Sequence, residues 1–217
     1  MEACLVYSDL LLDDLCAIQK LSSYFKDMYL VPCDIQDDYA ENDYSPANRS
    51  VPEVIELIRG WFRKVSVAEN INGKLDGVEH VFILARATEV VADIRKNDWM
   101  KELQFCFMGG SYPGLEAENN PDNLEWNHSR DRKAYTALFR EFDLDITQFT
   151  FKDCEELADM NDTKMQFYQE YVETMERLGD STCCPDLSAV TQYVAIKNIM
   201  PFFNSIVRWN LKPICLD

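Results

Sequence analysis

Apolar positions along the chain fall into two recurring patterns, short unbroken runs and stretches with helical spacing. Cys4-Leu5-Val6-Tyr7 opens the series, and Leu5 to Tyr7 reads as a buried strand. Leu15 to Phe25 follows with apolar residues at Leu15, Ile18, Leu21, Tyr24 and Phe25, which predicts a helix with one inward face. Met28 to Val31 is a second short strand, and the stretch from 33 to 50, rich in Asp, Asn, Tyr and Pro, is a polar loop. Val51-Pro52-Glu53 starts a helix with Pro in its first turn, continuing through Ile55, Leu57, Ile58 and Trp61-Phe62. Residues 66 to 77 read as a loop ending at Asp76-Gly77.

The run Val81 to Ala85 has strand length and no polar alternation, as a strand covered on both faces requires. Thr88 is placed to cap a helix through Val90, Val91 and Ile94. Leu103 to Met108 is another covered strand, stopped by Gly109-Gly110, and 111 to 128 is polar loop. Asp131 then caps a helix through Ala134, Leu138 and Phe139. Strand and helix alternate throughout, the pattern of a parallel sheet with helical crossovers. The expected fold class is therefore α/β, an open, mostly parallel sheet with helices on both faces. Further on, Asp145 to Phe151 fits a strand, Phe167 to Leu178 a helix, and Cys183-Cys184-Pro185 a turn, while Leu187 to Met200 carries a mixed pattern.

Length narrows this picture: 217 residues are most economically one domain, spanning 1–217. An apolar fraction of 47% suits a packed globule, and no apolar run is long enough to span a membrane. The start, Met1-Glu2-Ala3-Cys4, lacks the basic residues of an export signal, so a cytoplasmic location is expected. The eight cysteines are scattered without Cys-x-x-Cys pairs or zinc spacing, and they read as reduced, buried thiols. A net charge of −17 disfavours nucleic acid and anionic membrane as partners, because both need a concentrated basic footprint.

Chemistry enters at Ser8-Asp9-Leu10-Leu11-Leu12-Asp13-Asp14, where three carboxylates follow the first strand directly. The carboxyl ends of strands are where open α/β sheets hold ligands, and clustered carboxylates suit a hard cation such as Ca²⁺ or Mg²⁺. Ordinary loop and N-cap aspartates would give the same string.

Ser8-Asp9 with Asp13-Asp14, Leu84-Ala85 with Thr88, Phe107-Met108-Gly109-Gly110, and the set Asn119, Glu125, Asn127 and Asp131 together resemble the nucleoside hydrolases, ribohydrolases that hold a calcium ion. Ser8-Asp9 with Asp13-Asp14 is similar to the family's N-terminal aspartate motif. Leu84-Ala85 with Thr88 is similar to its second diagnostic strand and helix start, and Phe107-Met108-Gly109-Gly110 to its Met-Gly-Gly turn. Asn119, Glu125, Asn127 and Asp131 follow at the spacing of its ribose loop. The resemblance implies that Asp9 binds Ca²⁺ and acts as general base toward a calcium-held water, with Asp14 and the Phe107 carbonyl as further ligands. It assigns Asp13, Asn119, Glu125 and Asn127 to the ribose hydroxyls of a nucleoside or related N-riboside. Such a site must orient the sugar and stabilise an oxocarbenium-like transition state. Relatives that are dimers or tetramers make a homo-oligomer one expectation.

The chain also departs from that pattern. Tyr7 stands where the family has its first aspartate, and Leu10-Leu11 replaces a Pro-Gly turn. Asp34 falls where a ribose-proximal Asn is usual. The family's C-terminal His-Asp pair, which closes the calcium shell and assists the leaving base, is matched best by Phe203-Asn204, so that Asn204 supplies a neutral oxygen and Phe203 no proton. A shortened version of the fold is implied. Two functions fit: a divergent ribohydrolase, or an inactive relative that binds a riboside or a protein partner without turnover.

Overall fold

The computed structural model describes residues 2–35, 39–46, 49–114, 116, 125–156 and 165–201. Six strands form one sheet: β1 Ala3–Ser8, β2 Asp27–Pro32, β3 Lys64–Val67, β4 Val78–Ile83, β5 Gln104–Met108 and β6 Asp145–Phe149. Their order is β3-β2-β1-β4-β5-β6, and every pairing is parallel. The helices are α1 Leu12–Leu21, α2 Val51–Arg59, α3 Thr88–Lys96, α4 Trp126–Arg130, α5 Arg132–Arg140, α6 Phe151–Glu156, α7 Gln166–Leu178 and α8 Pro185–Ile196. The expected open parallel α/β sheet with helices on both faces is the architecture observed.

Alternation along the central strands assigns residues to two cores. Cys4 and Val6 of β1, Phe82 of β4 and Cys106 of β5 point to one face, where they pack against α1, α2, α7 and α8. Leu5 and Tyr7, Val81 and Ile83, and Phe105 and Phe107 point to the other, against α3 and α5. Both faces are dry, so the central strands read as continuous apolar runs. Every cysteine among the described residues is free and buried. Among the described residues no helix is long and apolar enough to cross a membrane.

Several boundaries differ from expectation, each for a local reason. α1 begins at Leu12 and ends at Leu21, leaving Tyr24 and Phe25 in the turn behind it. α2 stops before Trp61, and its capping box is Ser50 with Glu53, whose carboxylate accepts from the Ser50 N–H at 2.8 Å. Thr88 is the first residue of α3 rather than its cap, and its hydroxyl instead donates to Asp131 at 2.6 Å. Asp131 caps α5 as expected, accepting from the Ala134 N–H at 3.0 Å. Phe151 belongs to α6, so β6 ends two residues earlier than its apolar pattern suggested. The supposed turn Cys183-Cys184-Pro185 is the start of α8, with Cys184 at the cap and Pro185 in the first turn.

β1 carries the switch point. Its last ladder bonds are Leu84 N–H to the Tyr7 carbonyl at 2.9 Å on one side and Cys33 N–H to the Ser8 carbonyl at 2.7 Å on the other. Beyond Ser8 the chains following β2 and β4 leave on either side of β1, the switch point at whose crevice such sheets bind ligands. The back of β1 is anchored by Tyr7, whose buried hydroxyl donates to Asp93 of α3 at 2.9 Å. The same Asp93 oxygen accepts from the Ile71 N–H at 3.1 Å. Tyr7→Phe removes one of the two donors holding a buried carboxylate and is expected to cost about 1–3 kcal/mol of stability. Urea unfolding measures the loss, and an unchanged midpoint would show that Asp93 is satisfied without the phenol.

Candidate active site

The turn after β1 is built around Leu10, which adopts a φ of 65° despite its side chain. Two features hold it in that left-handed conformation: full burial of the Leu10 side chain, and a bond from its N–H to the Ser8 hydroxyl oxygen at 3.0 Å. The Leu10-Leu11 replacement thus preserves a tight turn without glycine. The following Leu11 N–H lies between two carboxylates, donating to Asp9 Oδ1 at 3.3 Å and Asp14 Oδ2 at 3.2 Å. Asp13 and Asp14 occupy the first turn of α1, and Asp186 the first turn of α8.

α1 and α8 pack side by side with their N-termini at the same edge of the sheet, where Cys184 Sγ lies 3.9 Å from the Asp13 carbonyl. Asp13, Asp14 and Asp186 therefore converge, each offering an oxygen within 4.8 Å of the others'. Asp14 and Asp186 are each only 1% exposed, and Oδ1 of each is buried with no hydrogen-bond partner. Buried carboxylate oxygens without donors fit a cation, which would satisfy both at once. Asp9 is 9% exposed and in hydrogen-bond contact with the Asp14 carboxyl.

Burial is the largest influence on all four acids; repulsion within the cluster raises Asp13, Asp14 and Asp186 further, whereas Asp9 is lowered by its bond to Asp14 and raised by Asp34. Asp14 and Asp186 are held well above the usual carboxylate range, Asp9 is raised, and Asp13 is pushed up to about 7. Donors from two helix N-termini favour the charged forms but do not offset the crowding.

The remaining sequence-expected residues are distributed unevenly. Glu125 is buried at the start of α4, where Oε1 accepts from Asn127 N–H at 2.8 Å and Oε2 from His128 N–H at 2.8 Å and Gly110 N–H at 2.6 Å. Its carboxylate pins the Gly109-Gly110 turn to α4, and Gly110 carries a φ of 81° with a Cβ position 2.7 Å from the Tyr135 hydroxyl, so only glycine fits. Asn127 is buried, and its Nδ2 donates to the carbonyls of Leu84 at 3.3 Å and Met108 at 3.4 Å, tying together the ends of β4 and β5. Phe107 lies inside β5 between Ile83 and Gln148, with its ring against Tyr135 and Phe139; the carbonyl Asn127 reaches is that of the next residue. The Asp34 carboxylate is bound by Arg86 and Arg130. Asn119 and Asn204 lie outside the described residues.

Asp186 was not legible as a site residue. The available signal was Pro185-Asp186, a proline and an acid opening a helix, but α8 is buried on nearly every side and its apolar pattern has no clear polar face. Four acids are thus placed at one crevice: Asp9, Asp13 and Asp14 from the expected set, and Asp186 beside them.

No family model matches the sequence, and no curated protein matches it. Nine chains among solved structures do match. One is an inosine-guanosine nucleoside hydrolase (IG-NH), with a TM-score of 0.50 at 14% identity, covering 91% of this chain and 79% of that one. The fold is nucleoside hydrolase-like.

The raised acids carry a sign for stability. A carboxyl group whose folded value lies above its unfolded value near 4 contributes most when protonated. That contribution is fully present below about pH 4 and is lost as pH rises through about 7 for Asp13. In a chelator the melting temperature is expected to fall between about pH 5 and about pH 8, with calcium removing most of that fall. Thermal melts at graded pH with EDTA or calcium check this; a decline of the same size in both would show that the acids do not share a cation.

Proposed function

We propose that this protein binds an N-riboside at the crevice beyond β1 and hydrolyses its glycosidic bond with a divalent cation held by Asp13, Asp14 and Asp186. The observation that carries the reading is the pair of buried, partnerless carboxylate oxygens on Asp14 and Asp186, brought together from two helix starts beside Asp9. The nucleoside hydrolase-like sheet supports it, because that fold in IG-NH belongs to an enzyme whose name states nucleoside hydrolysis. The donor set is all carboxylate oxygen, which suits Ca²⁺ over thiophilic metals. A calcium ion there would supply positive charge and open positions for a water and for the ribose diol.

The chain's own residues divide the remaining work. Asp9 sits at the edge of the acid cluster, raised toward neutrality by burial, and is the group suited to take a proton from an attacking water. Glu125 and Asn127 hold the ends of β4 and β5 and the Gly109-Gly110 turn, and so fix the wall against which the sugar lies. Both Glu125 oxygens are already occupied, so its contribution is chiefly to position that wall.

A second reading, riboside binding without turnover, is favoured by one specific residue. Pro185-Asp186, a helix start beside the other acids, takes here the place that the resemblance gave to Phe203-Asn204, and Pro185 likewise has no proton to give a departing base. Substrates whose leaving group needs protonation would therefore react slowly or not at all.

Calcium titration by calorimetry and ribose release from a panel of nucleosides test both readings. Asp186→Asn is expected to weaken calcium binding by roughly ten- to a hundredfold, since ligand charge sets affinity in such sites. Asp9→Asn is expected to lower ribose release by at least about a hundredfold with riboside binding retained. Binding without release in the unmodified protein selects the second reading. No calcium heat and no riboside binding would remove both.

A further inference from the structure

The strand order places β2 and β4 on either side of β1, and a bridge of charge runs from one to the other across its end. Asp34, two residues beyond β2, accepts at Oδ1 from Arg86 Nη1 at 2.9 Å and from Arg130 Nη2 at 2.7 Å, and at Oδ2 from Arg130 Nε at 2.6 Å. Arg86 follows β4 and Arg130 ends α4. The opposite edge of Arg86 is fixed by Glu89 at 2.9 Å, which leaves Nη1 turned to Asp34. Asp9 feels the charges of both Asp34 and Arg130, so the bridge lies within reach of the acid turn after β1.

This arrangement differs from an ordinary surface ion pair in three ways. Two guanidinium groups converge on one carboxylate, and Arg130 binds it side-on through two nitrogens, the geometry that takes carboxylate and phosphate alike. Asp34 is held with a φ of 49°, a left-handed backbone uncommon outside glycine, although Asp adopts it more readily than most residues. Both arginines remain partly open to solvent, with side chains 26% and 35% exposed, and Arg130 lies over the exposed indole of Trp126 with its Cζ 5.2 Å from the ring centroid. An acidic chain thus keeps two cations at the ligand edge of its sheet and fills the space between them with its own carboxylate.

We propose that Arg86 and Arg130 form the seat of a phosphate group on the ligand, with Asp34 as the internal occupant that this phosphate displaces. The substrate class is then a phosphorylated riboside. Its phosphate lies in the fork, and its sugar lies between Asp9 and the wall made by Glu125 and Asn127. Placement of the sugar rests on the riboside reading above; the fork does not.

Isothermal titration of the full chain with ribose, ribose 5-phosphate and inorganic phosphate separates the two. Ribose and ribose 5-phosphate are titrated with calcium, and inorganic phosphate in EDTA. Asp34→Asn is expected to tighten ribose 5-phosphate at least about tenfold relative to ribose, because two guanidinium groups are released for it. The same variant is expected to bind inorganic phosphate, and Asp34→Asn with Arg130→Gln to lose that binding. Arg130→Gln alone, a change at a partly exposed helix end, is expected to remove the preference of the unmodified chain for the phosphorylated sugar. Equal affinity for ribose and ribose 5-phosphate in both single variants and the parent would overturn the seat and leave the bridge a clasp between loops. Phosphate that follows the fork while ribose binds nowhere would keep the seat and remove the riboside reading.

Discussion

Repulsion among buried carboxylates is the constraint from which the rest of the site follows. At separations up to 4.8 Å, each pair of ionised groups among Asp13, Asp14 and Asp186 costs at least roughly 3 kcal/mol at an effective dielectric of about 20. A helix N-terminus returns only about 0.3–1 kcal/mol to each acid. The two helix starts therefore cannot hold a fully ionised triad, and three such pairs would rival the whole stability of a domain, about 5–15 kcal/mol. Protons or a cation must enter. A proton on one acid would bridge it to its neighbour, as between Asp9 and Asp14 or Asp14 and Asp186, whereas a cation would take the open oxygens of Asp14 and Asp186 together.

The other acids near the crevice make the contrast clear. Glu125 is buried to a similar degree, yet three backbone N–H groups answer its charge. Asp131 accepts from Thr88 and Ala134, Asp93 from Tyr7 and Ile71, and Asp34 from two arginines. Each of these joins elements that the fold must keep in register: β5 to α4, α3 to α5, β1 to α3, or the ends of β2 and β4. Asp93 also keeps a buried Oδ1 without a partner, so what sets Asp14 and Asp186 apart from the acids that build the scaffold is that their open oxygens lie within one cluster of carboxylates. Asp9 lies between the groups, sharing the Leu11 N–H with Asp14 and touching its carboxyl.

The same division explains what could be read from sequence. Covered strands such as Val81 to Ala85 were legible because burial on both faces forces continuous apolar runs. Asp9, Asp13 and Asp14 were legible as a group because one strand end and one helix start carry all three. β3 was missed, read as loop from residue 66: it is an edge strand of four residues, Lys64-Val65-Ser66-Val67, with both ends exposed and no apolar run. α4 was hidden in polar sequence because it spans five residues and its start is fixed by a side chain, Glu125, rather than by periodicity. Asp186 was lost for a different reason. Its partners are more than 170 residues away, and their meeting depends on how α1 and α8 lie against one face of the sheet. Nothing local to Cys184-Pro185-Asp186 encodes that.

The two charge clusters at the crevice also explain each other. The acid triad reaches Asp9 through the Asp14 carboxyl, and the arginine bridge acts on it through Asp34 and Arg130. In an ion-free chain Asp34 adds to the raising of Asp9 while Arg130 counters it, and the bridge is close to neutral as long as Asp34 stays in place. Moving Asp34 out without a replacement anion would expose both guanidinium groups to Asp9 and lower its basicity, which works against a general base. A ligand that brings its own anion to the fork avoids this, because it restores the charge that Asp34 had supplied and leaves Asp9 in the field it had before. The acid cluster and the bridge are therefore coupled through Asp9, and a ligand carrying both hydroxyls and a phosphate would satisfy the two at once.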